Sequence, residues 1–200
     1  IDDFVGVIKD KMNKDNKWWI HESRSQTFSE SPPHVLITST LQQKAYNLIK
    51  MSTKSCMKCA QELYENGLIT YMRTDSSCYS KEFVEQLKNH IQRLYGNKYV
   101  HVNIDNLCTN KNKSKSQEAH EGIRVCDLSV TESNLGNASS NRLYKFIYKH
   151  TIQSGMSNSN GFHHEFMIKH DENTTFKYVD KEFVFDGWEC LENNKPTVSY

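Results

Sequence analysis

Gln61-Glu62-Leu63-Tyr64-Glu65-Asn66-Gly67-Leu68-Ile69-Thr70-Tyr71-Met72-Arg73-Thr74-Asp75-Ser76 is the stretch on which both the fold and the chemistry turn. Its first part continues a helical stripe. Cys56, Cys59, Ala60 and Leu63 fall at i, i+3, i+4 and i+7, so a helix over residues 53–66 lays one apolar face on a core. Gly67 supplies the C-terminal cap, since glycine enters the left-handed region without steric cost. Residues 68–72 then turn to β-branched and aromatic types and read as a short strand or an extended segment leaving the helix. In such a segment Tyr71 and Arg73 project to one side, about 7 Å apart along the chain. Asp75-Ser76-Ser77 follows as a polar turn.

A phenol beside a guanidinium suits attack on a phosphodiester. The arginine fork holds nonbridging oxygens and offsets the charge of a pentavalent transition state. Tyrosine and arginine also meet in ordinary proteins through stacking and cation–π contact, so the pair alone leaves both readings open. A second constellation is Ser116-Gln117-Glu118-Ala119-His120-Glu121-Gly122-Ile123-Arg124. If residues 117–123 are a short helix, His120 and Arg124 stand at i, i+4 on one face and can serve one anion together. The alternative is a solvated helix with incidental charges, Glu118 and Glu121 neutralising their basic neighbours.

Working outward, Phe4, Val5, Ile8 and Met12 suggest an opening helix, and residues 18–20 an extended segment. Ser31-Pro32-Pro33 marks a junction, because two prolines cannot sit inside a helix or central strand. A helix beginning near Thr40 carries Leu41, Ala45 and Leu48 on one side. Ser80 is a good N-cap for a helix with Phe83, Val84, Leu87, Ile91 and Leu94 on its apolar face, ended by Gly96-Asn97. Another helix spans 140–156 with Leu143, Phe146, Ile147 and His150 aligned. Residues 162–191 alternate in strand fashion, with Asp186-Gly187 as a turn signal. Helices thus fill the middle and strands the ends. The expectation is an α+β chain in which the terminal strands pair and the helix-rich middle is an insertion: 1–36 the first arm, 37–156 the helical domain, 157–200 the returning strands.

Lysine plus arginine number 25 against 24 acids, a net charge of +1, so no global field gathers a polyanion, and nucleic-acid affinity has to come from local clusters. The densest is Lys111-Asn112-Lys113-Ser114-Lys115, either a solvated loop or one that brushes phosphates. The six cysteines show no framework spacing, and no signal-peptide or membrane-length apolar run is present, which fits a reducing interior. Cys56-Met57-Lys58-Cys59 would be half a zinc site, but no second pair completes four ligands, and the helical stripe explains it better. The opening Ile1 and the apparent strand near the end suggest a piece of something longer, with a partner segment expected.

Three blocks resemble bacterial-type topoisomerase I, a type IA DNA topoisomerase, in the order that family has them. Thr38-Ser39-Thr40-Leu41-Gln42-Gln43 is similar to the stretch entering the active-site domain. Leu63-Tyr64-Glu65 through Gly67-Leu68-Ile69-Thr70-Tyr71-Met72-Arg73-Thr74-Asp75-Ser76 resembles the nucleophile motif nearly residue for residue. Gln117-Glu118-Ala119-His120-Glu121-Gly122-Ile123-Arg124 resembles the third block, departing from it at Val125-Cys126, where proline-threonine is usual. Leu143-Tyr144-Lys145 and Phe185-Asp186-Gly187-Trp188 are weaker echoes. The resemblance implies part of the toroidal type IA fold, the terminal strands belonging to an arch that lets the tyrosine-bearing domain lift away. It implies that Tyr71 forms a 5′-phosphotyrosyl bond with one DNA strand, that another strand passes, and that the freed 3′-hydroxyl reverses the reaction without ATP, relaxing negative supercoils. Arg73 would bind the scissile phosphate and His120 lie nearby. Arg124 would support His120 or contact backbone, with Thr74, Asp75, Ser76 and Gln43 also at the DNA. Magnesium (Mg2+) is held in that family by a separate N-terminal domain with a glutamate and an Asp-x-Asp-type motif. No such cluster appears here, Asp180-Lys181-Glu182 being the nearest, so that domain is an expected partner alongside single-stranded and negatively supercoiled DNA. The setting would be the cytoplasm, at a nucleoid or in a viral factory. The competing classes are a non-catalytic single-stranded DNA-binding module, using Lys111 to Lys115 with Tyr64 and Trp188, and a purely structural piece.

Overall fold

The computed structural model describes residues 18–108, 121–170 and 175–192. They form two compact units, one made of those within 18–30 and 159–186, the other of those within 31–158 and 187–192.

The first unit is a three-stranded antiparallel sheet in the order β1 (Trp19–Glu30), β2 (Ser159–Lys169), β3 (Thr175–Phe185). The β1–β2 register runs from Trp19↔Lys169 to Glu30↔Ser159, so strand regions from the two ends of the sequence pair, as expected, though β1 is far longer than the residues 18–20 read as extended. Side chains alternate between the faces. Lys181 lies 4.4 Å and 4.9 Å from the ring centroids of Phe28 and Phe183 and pairs with Glu30 at 3.0 Å. Phe162, His164, Phe166 and Tyr178 form a row of rings on the other face. Gly161 sits where β3 comes closest; a Cβ there would meet the backbone of Glu182 and Phe183.

The second unit packs α1 (Thr38–Ile49), α2 (Thr53–Glu65), α3 (Lys81–Tyr95) and α4 (Ala138–Ser154), with 3-10 turns at Asn97–Tyr99, Ile104–Cys108 and Gly187–Leu191. Helices α2, α3 and α4 each start where a polar side chain caps them, whereas α1 follows Ile37, whose side chain makes no such bond. Ser52 accepts from Ser55 N, Ser80 from Phe83 N, and Asn137 from Ser139 N and Ser140 N. Glu62 of α2 reaches α4, accepting from Asn137 Nδ2 and Ser140 Oγ, so one carboxylate orders the start of a second helix. The α2 stripe of Cys56, Cys59, Ala60 and Leu63 is buried as its spacing predicts. Burial pushes the Cys56 thiol up to about 11, with Cys59 adding to the shift. Phe83, Val84, Leu87 and Ile91 of α3 and Leu143, Tyr144 and Ile147 of α4 complete the core. Each such side chain stabilises the fold by about 1.5–3 kcal/mol. Tyr144 keeps its polar end satisfied by donating to Val130 O at 2.8 Å.

Several expectations are corrected. Leu48 and Leu94 are 65% and 53% exposed, although the period puts them on the apolar faces. Both lie in the last turn of their helix, and a period does not tell where the packing partner ends. Asp75-Ser76-Ser77 is not a turn; the chain bends at Met72 and Arg73 and runs on without turns to Ser80. Residues 121–125 are extended, bridging Leu36↔Ile123 and Ile69↔Val125, so Arg124 is not on a helix. A segment this short has little helical stability of its own and takes the backbone partners the tertiary structure offers. Gly187–Leu191, expected among the returning strands, is a 3-10 turn grouped with the helices. The opening helix, Lys111 to Lys115 and His120 lie outside the described residues.

Candidate active site

Helix α2 ends in a Schellman motif: Leu68 N donates to Leu63 O and Gly67 N to Tyr64 O, both at 2.9 Å, with Gly67 at φ 69°. After that reversal residues 68–76 run as an irregular segment with bends at 68, 70, 72 and 73. Among the described residues the segment gains one isolated bridge, Ile69↔Val125, and no strand partner along its length. Its backbone is satisfied piecemeal. Cys126 N donates to Leu68 O at 3.0 Å and Thr70 N to Arg124 O at 2.9 Å.

Two threonine hydroxyls complete the attachment. Thr70 Oγ1 donates to Gly122 O (2.8 Å) and accepts from Arg124 N (3.0 Å). Thr38 Oγ1, at the start of α1, accepts from Thr74 N (2.9 Å), and its hydrogen faces Met72 O (2.9 Å) and Thr74 O (3.0 Å). Thr38 N also donates to Thr74 O at 3.0 Å. The chain is thus tied on both sides of Tyr71, at residues 68–70 and at 72–74.

The tethers impose a strand-like alternation. Ile69, Met72, Thr74 and Ser76 are buried, whereas Tyr71, Arg73 and Asp75 are exposed. Tyr71 is 42% exposed, its ring edge-on to Tyr64 with centroids 5.1 Å apart. Tyr71, Arg73 and Asp75 are therefore open to solvent, Thr74 and Ser76 are buried, and Gln43 is exposed on α1. A cavity of about 430 Å³ lined by Pro32, Pro33, His34, Ser77, His101 and Leu107 includes neither Tyr71 nor Arg73. The phenol is on open surface, which suits a polymeric substrate better than a small one.

Arg124 is turned inward, its side chain 12% exposed. The guanidinium pairs with Glu121, donates to Val125 O at 3.1 Å, and lies 3.8 Å over the Phe83 ring. Glu121 in turn accepts from Ser80 N at 2.7 Å, which puts a carboxylate at the N-terminus of α3 where the helix dipole favours it. The two threonine hydroxyls escaped the sequence reading because their partners lie 34 to 54 residues away. Among the described residues no group of three or more His, Cys, Asp or Glu could hold a metal ion. Glu182 is instead bonded to His164 at 2.8 Å.

The family described as DNA topoisomerase matches residues 4–199. DNA topoisomerase 1 of Buchnera aphidicola is 33% identical over 183 residues, 90% of this chain and 21% of that protein. The "DNA topoisomerase 1 type prokaryotic" of Acanthamoeba polyphaga mimivirus is 42% identical over 144 residues, 70% of this chain and 16% of that protein. The structure of full-length topoisomerase I from Thermotoga maritima superposes with a TM-score of 0.68 at 28% identity, covering 98% of this chain and 32% of that one. The chain therefore spans between about a sixth and a third of these relatives' length, and with 196 of its 200 residues inside the family match, it belongs to the type IA DNA topoisomerases.

Proposed function

We propose that this chain is the tyrosine-bearing segment of a longer, ATP-independent type IA topoisomerase, with Tyr71 as nucleophile. The observation that carries the reading is the exposed Tyr71 and Arg73 on a segment tied at both ends to the helical unit. Tyr71 Oη attacks a backbone phosphorus and gives up its proton; the P–O3′ bond breaks, and the departing oxygen takes a proton to become a 3′-hydroxyl. The strand is left joined through a 5′-phosphotyrosyl bond, another strand passes, and the 3′-hydroxyl reverses the exchange. Phosphodiester energy is retained, so no nucleotide is consumed. Arg73 holds the nonbridging oxygens as charge builds on them. Asp75 and Gln43 stand on exposed positions from which DNA can be contacted, while Thr74 and Ser76 act through the backbone they support. Arg124 serves by ordering residues 121–126, and His120 completes the neighbourhood.

Magnesium does not fit this chain's described residues, and no step is routed through it. On this reading its ligands come from another domain of the same protein, and the chain alone does not relax supercoiled DNA. The substrates are single-stranded and negatively supercoiled DNA, met in the cytoplasm, at a nucleoid or in a viral factory.

The test is incubation of a 3′-labelled single-stranded oligonucleotide with the full-length protein, its Tyr71→Phe variant and this chain, with magnesium, followed by a denaturing gel. Label should travel with protein in the first sample only. Equal capture by Tyr71→Phe, or none by the full-length protein, removes the nucleophile assignment and leaves a DNA-binding module. Robust relaxation by the isolated chain would overturn its dependence on a second domain.

A further inference from the structure

Thr38 opens the Thr38-Ser39-Thr40-Leu41-Gln42-Gln43 block, which the nucleophile chemistry does not use directly. Its hydroxyl lies within hydrogen-bond distance of three backbone groups that flank Arg73: Met72 O on one side, Thr74 N and Thr74 O on the other. The peptide groups before and after Arg73 are therefore referred to one oxygen atom. That oxygen is itself fixed, because Thr38 is the first residue of α1 and its own N–H donates to Thr74 O. The helix start is held in turn by Thr40 Oγ1, which accepts from Ile37 N at 3.0 Å. A β-branched threonine also has a stiff χ1, so the hydroxyl cannot swing away cheaply.

Among the described residues the segment has no strand partner at 72–74, so its backbone there is tied to Thr38 alone, through the hydroxyl and through the Thr38 N–H to Thr74 O. Met72 and Arg73 form the bend, the place where an untied chain would rotate and carry the Arg73 side chain away from Tyr71. We infer that Thr38 is a positioning residue for the Tyr71–Arg73 pair, its hydroxyl setting the backbone on which the phosphate-binding guanidinium stands. The inference rests on the proposed nucleophile reading. It gives the first sequence block a mechanical reason to accompany the second.

The test uses the full-length protein with Thr38→Val, which keeps the shape and removes the hydroxyl, and Thr38→Ser, which keeps the hydroxyl. Single-turnover cleavage of the labelled oligonucleotide and its binding constant are measured separately, with thermal melting as a control. Thr38→Val should bind DNA within about twofold of the parent yet cleave about tenfold to a hundredfold more slowly, since small misplacements of reacting groups cost rates of that order. Thr38→Ser should recover to within about threefold. A merely structural role would lower binding, melting and cleavage together and would not separate Ser from Val. Cleavage by Thr38→Val at the parent's rate, or Thr38→Ser as slow as Val, overturns the inference. If Thr38→Val does not melt cooperatively, Thr38→Cys takes its place; its weaker hydrogen bonds should slow cleavage with unchanged binding, and cleavage at the parent's rate again overturns it. Tyr71→Phe, run alongside, separates the failures: if it captures DNA the nucleophile reading falls, and if it captures none while Thr38→Val cleaves normally only the positioning role falls.

Discussion

At the scale of single residues, Arg124 shows how neighbours decide what a charge is for. In the sequence it stands in a block with His120 and reads as a cation aimed at an anion. In the structure its guanidinium is committed to Glu121, Val125 O and the Phe83 ring, and its Nε is buried without a partner. Removing it leaves Glu121 with the Ser80 N–H and a truncated environment. Breaking a buried pair typically costs 3–5 kcal/mol; with the Glu121 side chain 26% exposed, a loss of about 2–3 kcal/mol is expected for Arg124→Ala. Urea denaturation measures it. The salt dependence of oligonucleotide binding should stay unchanged, because no phosphate contact is lost; a slope shallower by about 0.7 would instead return Arg124 to the DNA interface. The exposure of Tyr71 and Arg73 was legible from alternation, which holds from Tyr71 to Ser76, whereas the roles proposed for them came from the resemblance of the surrounding block. Thr38 and Thr70 were not legible, since a hydroxyl's role lies in which distant backbone it meets.

At the scale of elements, legibility followed how much of the information is local. Helix α2 was read almost to the residue because a stripe at i, i+3, i+4 and i+7 and a terminating Gly67 agree, and the structure adds Ser52 as its N-cap. Its inner face should behave as core: Leu63→Ala should destabilise the chain by about 2–5 kcal/mol, while Tyr64→Phe on the exposed side should change stability little. The same face predicts that a maleimide labels exposed Cys126 in the native protein well before buried Cys56 and Cys59. Cys56 is doubly protected, because its raised thiol pKa leaves little thiolate to react. Comparable labelling of all three by mass spectrometry would mean that α2 does not pack its stripe inward. Strands β2 and β3 were legible as alternation, but of β1 only Trp19 and Ile20 fell in the segment read as extended, and the rest was missed. The other error lay in residues 121–125, too short for local propensity to settle, whose partners at Leu36, Ile69 and Thr70 lie 50 to 90 residues earlier.

For the molecule as a whole, 25 basic against 24 acidic side chains leave no net field to set the response to pH, so that response has to come from particular buried groups. His150 is the clearest. Burial within the helical unit drives its pKa down to about 4 from 6.5, helped by the nearby Lys44 and opposed by its bond to His34 O and by the Glu192 carboxylate. Burial outweighs the 2.8 Å bond that Nε2 donates to the carbonyl, so the folded protein keeps the ring neutral. In the unfolded chain the same ring takes a proton near pH 6.5. Between these values the unfolded state binds more protons, and stability must therefore rise with pH: it is complete above about 6.5 and falls progressively as the pH drops towards 4. At about 1.4 kcal/mol per pH unit the loss amounts to about 3 kcal/mol, or about 6–12 °C in melting temperature for a chain of this size. Glu192, its carboxyl held low by Gln153 and Lys149 against the opposing effect of burial, adds to the loss only at more acid pH. His150→Gln keeps a donor for His34 O and removes the titration, so its melting temperature should vary much less between pH 4 and 6.5, even if its value at pH 7 is lower. Melting curves of parent and variant that fall in parallel over that interval would assign the acid sensitivity to other groups.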